Sequence, residues 1–312
     1  MSGAGVVVGV DLGGTKIQAV AIAAGDVVAD AKLPTPTRGG AAIASAIADA
    51  VGAMGIGEVD RIGIGAPGVI DRAAGTIVKA PNLAIESSVP LARLVAQHVG
   101  IDAERVALDN DVNVATMAEH RRGAAAGAED ALCVFVGTGV GGGLVLGGEL
   151  RRGARGLTGE IGHVVVRDDG RRCGCGGLGH LESYAGRRAL EDEARRRHAD
   201  GAPTKLVELA GDERMKSSVF AKAVAAGDEL AIELLDEAAE ALGAALASAV
   251  ALVDLDLIVL GGGLADKLGE PFRAAVDDAV RRRLFVPDLP VRAVAATLGD
   301  HAGAIGATLL WA

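Results

Sequence analysis

Aromatic side chains are scarce: one Trp, one Tyr and four Phe make up 2% of the 312 residues. A single-stranded nucleic-acid binder needs stacking platforms, and this chain has almost none. A lectin that grips sugar faces with aromatic rings is disfavoured on the same ground. Cysteine is equally sparse. Three are present, and Cys173 and Cys175 stand one residue apart, so no disulfide framework is available. Cys133, in the run Ala131 to Val136, reads as a buried strand residue. No apolar run reaches the roughly 18 residues that span a bilayer. The most hydrophobic long segment, 230–260, is broken by Glu233, Asp236, Glu237, Glu240, Asp254 and Asp256. The N-terminus shows no basic segment, apolar core and cleavage site in sequence, so no signal peptide is expected. These absences point to a reducing, cytoplasmic home without a membrane partner. Basic residues are outnumbered 31 to 41, for a net charge of −10, which argues against nucleic acid as the partner.

What is abundant is hydrophobic surface, at 50% of residues, and glycine, at 46 positions. The length suits two lobes. Val6 to Val10, Ile17 to Ile22 and Val27 to Leu33 read as an antiparallel meander, ended by Pro34 and Pro36. A helix over 43–54, a strand over 61–65, a helix over 90–99, a strand over 106–108 and a helix over 113–121 follow. Leu132 to Val136 then restarts the strand, glycine turn, strand pattern, with Leu144 to Leu146 returning. Helices are expected over 182–198, 228–253, 272–284 and 302–310, and strands over 257–260 and 291–295. The repeat predicts two related α/β lobes with a ligand cleft between them. Their bounds are expected at 1–121 and 122–299, with residues 300–312 packing back on the first.

Four metal-type ligands fall within eighteen residues: His163, Cys173, Cys175 and His180. Two thiolates and two imidazoles make the donor set of a closed, structural zinc site. A hydrolase would keep one position open. Asp11-Leu12-Gly13-Gly14-Thr15-Lys16, between two strands, reads as a phosphate-binding turn. Its Gly13 and Gly14 amides and Thr15 hydroxyl can donate to phosphate oxygens, and Asp11 suits Mg²⁺ held through water. Gly137-Thr138-Gly139 offers the same donors in the second lobe. Two other glycine readings fail. The G-x-G-x-x-G matches at Gly63, Gly137 and Gly174 lack the strand–helix context of a dinucleotide site, and Thr15-Lys16 stands in the wrong order for a Walker loop. Asp109-Asn110-Asp111 follows a strand and holds either a general base or a helix cap; the residues alone favour the cap. Glu160, His163 and Glu182, with Asn110 or Asn82, suit sugar hydroxyls, which both donate and accept.

Taken in order, these motifs resemble the ROK family of sugar kinases and regulators. The resemblance runs from Asp11–Lys16 through Gly65–Gly68, Pro81–Leu83, Asn110-Asp111, Gly137–Gly143, Gly159–His163, the zinc loop and Gly261–Gly263 to Asp300–Gly306. It implies the α/β, two-lobed actin-like ATPase fold (ribonuclease H-like), with an inter-lobe cleft and a zinc-binding loop. It also implies an ATP-dependent hexose kinase, with glucose the first choice and fructose, mannose, N-acetylglucosamine or N-acetylmannosamine as alternatives. On this reading Asp111 is the catalytic base. Gly65, Asn82, Asn110, Glu160, His163 and Glu182 meet the sugar. Asp11, Gly13, Gly14, Thr15 and Lys16 meet Mg²⁺ and the nucleotide, with Gly137, Thr138 and Gly139 as the second phosphate turn and Gly261, Gly262 and Gly263 on the adenosine side. A homodimer or homotetramer is implied. One departure stands out: His180 occupies the place of a third cysteine, so the structural Zn²⁺ is expected in a Cys₂His₂ site. A sugar-sensing repressor of this family carries a helix-turn-helix before its core. The first strand at Val6 leaves no room for one.

Overall fold

The computed structural model describes residues 5–37, 39–83, 85, 87–286 and 288–311. The chain divides into two compact units: Met1–Arg122, Arg152–Gly156 and Asp300–Ala312 form one, and Gly123–Arg151 with Leu157–Gly299 the other. Nothing in the sequence pattern assigned the short segment Arg152–Gly156 to the first unit.

The first unit holds β1 (Val6–Leu12), β2 (Lys16–Ala23), β3 (Asp26–Pro34), β4 (Val59–Ala66), β5 (Val69–Asp71), β6 (Thr76–Lys79) and β7 (Val106–Asn110). Its sheet runs β3-β2-β1-β4-β7. The first three strands pair antiparallel, and β1/β4 and β4/β7 pair parallel. The strands alternate in a way that builds the unit. Val8 and Val10 of β1, with Ile62 and Ile64 of β4, enter the main core. There they join Ile43 and Ile47 of the helix Gly40–Ala53 and Leu91 and Val95 of Leu91–Val99. The alternate positions are Gly9 and Gly63. A Cβ on Gly9 would lie 1.9 Å from the Ala304 carbonyl oxygen, and one on Gly63 1.8 Å from that of Ala307. The bare strand backbone therefore seats the C-terminal helix Ala302–Ala307. The hairpin β5–β6 is a separate ribbon that no alternation in the sequence announced.

The second unit holds β8 (Ala131–Val136), β9 (Val140–Leu146), β10 (Glu149–Arg151), β11 (Leu257–Gly261) and β12 (Arg292–Ala295). Its order is β10-β9-β8-β11-β12, with the same antiparallel and parallel pairings. The repeat seen in the sequence is thus a repeat of sheet topology. The long helix Glu229–Val253 is capped by Asp228, whose Oδ1 accepts from the Ala231 amide at 2.8 Å. Its apolar stripe packs Leu234, Leu242 and Leu246 against Ile258, Leu260 and Phe220. Two helices, Lys205–Ala210 and Ser217–Ala225, escaped the sequence reading because each is short. The expected helix over 272–284 instead starts at Gly263, runs to Arg281 and breaks at Gly269, whose φ is 66°.

Gly63→Ala should lower stability by about 1–3 kcal/mol, because the added methyl meets backbone rather than a yielding side chain. Chemical denaturation would measure this, and an unchanged midpoint would show that the C-terminal helix can retreat.

Candidate active site

In the first unit the strand register assembles the site. Asp11 pairs with Gly65 across β1 and β4, and Gly65 with Asp109 across β4 and β7. Three site positions therefore lie in one row at the carboxyl ends of parallel strands, the usual ligand edge of an α/β sheet. The turn after β1 is closed by the Gly13 amide donating to the Lys16 carbonyl at 2.9 Å and the Thr35 hydroxyl donating to the Gly13 carbonyl at 2.7 Å. Asn82 lies beside it: a Cβ on Gly14 would be 3.1 Å from the Asn82 carbonyl oxygen. Lys16 is turned to an ion pair with Asp300 at 2.8 Å.

Burial pushes the Asp11 carboxyl up to about 7, and the nearby charges of Asp111 and Asp300 add to the rise while Lys16 opposes it. A buried carboxylate with two acidic neighbours is a site short of positive charge. Its oxygen donors fit Mg²⁺, which Asp11 would hold through water.

The triplet after β7 divides its tasks. Asp109 is 1% exposed and fully bonded. Its Oδ1 accepts from the Asn110 amide at 2.8 Å and Asn113 Nδ2 at 3.3 Å, its Oδ2 accepts from Arg152 Nε at 2.8 Å, and Arg72 Nε forms an ion pair with Oδ2 at 3.1 Å. Asn110 is the cap. Its Oδ1 accepts from the amides of Val112 at 2.9 Å and Asn113 at 3.2 Å. Its Nδ2 faces the Gly68 carbonyl at 3.4 Å. Asp111 is the first residue of the helix Asp111–Arg122 and is half-buried. The cap and the candidate base are thus different residues of one triplet.

In the second unit the turn Gly137–Gly139 joins β8 to β9. The Arg187 and Arg188 amides, at the start of the helix Arg187–Ala199, donate to the carbonyls of Gly137 and Thr138 at 3.0 and 3.1 Å. Arg187 also donates from Nη2 to Thr138 Oγ1 at 2.9 Å and from Nη1 to the Met215 carbonyl at 2.5 Å. Burial lowers the pKa of this guanidinium. The sequence reading passed over Arg187; the one available signal was a basic residue opening a helix. Gly139 leaves room for Glu182, since a Cβ there would sit 2.1 Å from Glu182 Oε2, which accepts from the Val140 amide at 3.0 Å. Gly261 ends β11. Gly262, at φ 93°, leads into the helix opened by Gly263, and a Cβ on Gly262 would meet the Val136 backbone at 2.7 Å.

His163, Cys173, Cys175 and His180 converge, with their ligand atoms within 4.8 Å of one another. Cys173 Sγ lies 3.9 Å from His163 Nδ1, and Cys175 Sγ 3.2 Å from His180 Nδ1. These separations suit the edges of a tetrahedron with Zn–S of about 2.3 Å and Zn–N of about 2.0 Å. His163 presents Nδ1 to this cluster and Nε2 to Glu160, 3.9 Å away. Burial raises the Cys173 thiol to about 11, so a cation is what would make it a thiolate ligand. The loop is fastened behind: the Tyr184 hydroxyl accepts from the Arg171 amide at 2.9 Å, and Arg171 and Arg167 both pair with Glu237. Arg171 is engaged in holding the loop rather than offered to an anion.

Two sheets of one topology, each with a glycine turn at the ligand edge, define the actin-like class of phosphotransfer fold. Comparison places the chain within it. The ROK family profile matches residues 7–312, and the chain belongs to that family. It is 36% identical over 312 residues to a glucokinase of Streptomyces coelicolor, covering 97% of this chain and 96% of that protein. The crystal structure of a ROK family glucokinase from Streptomyces griseus in complex with glucose and AMPPNP superposes with a TM-score of 0.84, at 36% identity and 98% and 99% coverage. A ROK hexokinase from Thermus thermophilus gives 0.81, at 37% identity and 97% of each chain. The fold is therefore that of the ROK sugar kinases. Among the described residues, no helix is long and apolar enough to cross a membrane.

Two predictions follow from the local chemistry. The purified protein should carry one zinc per chain by elemental analysis, and Cys175→Ser should lose it and lower Tm; a metal-free parent of full stability would remove zinc from the loop. For Asp11, the ordinary value is 3.8 and the folded value about 7. Below about 4 the carboxyl is protonated in both states, and above about 7 it is ionised in both and opposes folding. Stability from this group is lost as pH rises between those values. In metal-free protein, Asp11→Asn should raise Tm at pH 8, with the gain shrinking toward pH 5. A gain that grows on acidification would contradict the assignment.

Proposed function

We propose that this protein, a sugar kinase, transfers the γ-phosphoryl group of ATP to the 6-hydroxyl of a hexose, and that the hexose is glucose. The observation that carries the reading is Asp111. It opens a helix whose cap is supplied by Asn110, its own Oδ1 accepts from the Val112 amide at 3.0 Å, and its charge is felt by Asp11. That is the placement a base needs beside a metal-nucleotide turn.

Asp111 accepts the proton of the sugar hydroxyl as its oxygen attacks phosphorus in line. The Gly13, Gly14 and Thr15 turn and the Gly137–Gly139 turn donate to the phosphate oxygens. Mg²⁺, when bound at Asp11, neutralises phosphate charge. Arg187 holds Thr138 in place and adds a positive charge to that turn. Gly261 to Gly263 leave backbone room for the adenosine. Asn110, Glu160, His163 and Glu182 meet the sugar hydroxyls, with Gly65 and Asn82 beside them. Glu182 Oε2 is bonded to the Val140 amide, and Oε1, which accepts from the Cys173 thiol at 3.8 Å, would turn to the sugar once that thiol is ionised as a zinc ligand. A zinc ion held by His163, Cys173, Cys175 and His180 would be structural, and His163, ligating through Nδ1, would keep Nε2 toward Glu160 and the substrate.

The test is ADP release with Mg-ATP over glucose, mannose, fructose, N-acetylglucosamine and N-acetylmannosamine. Glucose should give the highest kcat/KM. Preference for another sugar would move the substrate, and no turnover with any would overturn the kinase assignment. Asp111→Asn should lower kcat by about 10²–10⁴-fold with glucose binding retained; a variant keeping more than about a tenth of the rate would end the base role. Arg187→Ala should raise KM for ATP about tenfold, the effect of one charge-assisted hydrogen bond, with glucose Kd unchanged. Equal KM values would leave Arg187 a purely structural group.

A further inference from the structure

A cavity of about 380 Å³ in the first unit is lined by Arg72, Arg152 and Arg155, with Asp71, Asp109 and Asn110 among its other walls. The catalytic assignment makes no use of the three arginines. Their concentration is notable in a chain of net charge −10.

The wiring of these groups decides what the cavity can hold. Asp109 Oδ2 takes Arg152 and Arg72 by their Nε atoms, at 2.8 and 3.1 Å. Arg152, bonded at Nε and through Nη2 to Met117 Sδ at 3.5 Å, is held in one orientation with Nη1 left to present, and Arg72, ion-paired through Nε, keeps its Nη groups. The carboxylate holding them is buried and has both oxygens occupied, so it offers no lone pair to repel a second anion at close range. Asp71 is likewise engaged, its Oδ1 accepting from the Ala74 amide at 3.0 Å. Arg155 is exposed and forms no ion pair among the described residues. Three guanidiniums against two carboxylates leave the walls net positive. Planar forks fixed in advance and one uncommitted arginine are what a tetrahedral oxyanion needs for charge-assisted contacts.

We infer that this cavity is a binding site for a phosphate group, with Arg72, Arg152 and Arg155 as its ligands. The group arrives either as inorganic phosphate or as the phosphate of a small monoester such as a sugar phosphate. None of its lining residues belongs to the glycine turns assigned to ATP, although Asn110 is shared with the proposed sugar site, and the inference stands whether or not the kinase reading does.

The test is calorimetric titration of the full chain with inorganic phosphate, at constant ionic strength set with chloride. Saturable binding is expected, and Arg155→Gln should weaken it at least tenfold with Tm unchanged, since Arg155 is exposed and supports no other group. Arg72→Gln should weaken binding likewise, with a lower Tm because it also removes a partner of the buried Asp109 carboxylate. A hexose 6-phosphate binding more than tenfold tighter than inorganic phosphate, with the same loss in Arg155→Gln, would identify the monoester as the occupant; equal affinities would identify the free anion. Absence of saturable binding would overturn the inference. So would binding that is unchanged in both variants, because that phosphate would lie elsewhere.

Discussion

The carboxylate of Asp109 is the constraint on which the first unit's half of the site rests. It is almost wholly buried, and a buried charge is tolerated only when its lone pairs are satisfied. Here three donors and one ion pair do so, from three separate pieces of chain: the start of the helix after β7, Arg152, and Arg72 between β5 and β6. Asp109 therefore ties a strand end, a hairpin and a distant loop into one body. The loop Arg152–Gly156 lies far from Asp109 in sequence, and this ion pair explains its membership of the first unit. With Asp109 fixed, Asn110 must cap the helix and Asp111 must open it. The candidate base is positioned by its two neighbours together with its own bond from the Val112 amide.

The second unit uses a different device for the same end. Its loop is built around four metal-type ligands and is pinned from behind by Arg167, Arg171, Tyr184 and Glu237. Glu182 links that loop to the glycine turn by accepting from the Val140 amide, and Gly139 is required there because any side chain would displace the carboxylate. Helix starts recur as fasteners: the Arg187 and Arg188 amides, which lack partners within their own helix, bond the turn's carbonyls. The zinc-type loop and the glycine turn are thus mechanically continuous in this unit.

Glycine serves two purposes that the sequence cannot tell apart. Gly9 and Gly63 are structural, clearing the way for a helix against a sheet. Gly13 and Gly137 close turns by bonding their own amides to the Lys16 and Gly139 carbonyls, so the expected Gly13 donor is spent and a ligand would meet the other residues of those turns. All four fall in glycine patterns of similar appearance, which is why such patterns carried little weight until strands and turns were located.

The sequence by itself determined the opening antiparallel meander and its repetition in the second unit, because apolar alternation and glycine turns recur at corresponding places, and it pointed to the family through the order of its motifs; the parallel pairings and the β5–β6 hairpin came only with the fold. It also identified the Cys₂His₂ cluster, since the four ligands lie close along the chain. Tertiary structure decided what depends on partners distant in sequence. It made Asp109 a buried hub and Asn110 the cap, where the triplet alone allowed either role. It turned Lys16 toward Asp300, set Arg187 on Thr138, engaged Arg171 with Glu237, and gathered Arg72, Arg152 and Arg155 around one cavity. Local pattern records the periodicity of backbone and burial. The direction of a long charged side chain is set by whichever opposite charge the fold brings within reach, and no local pattern encodes that.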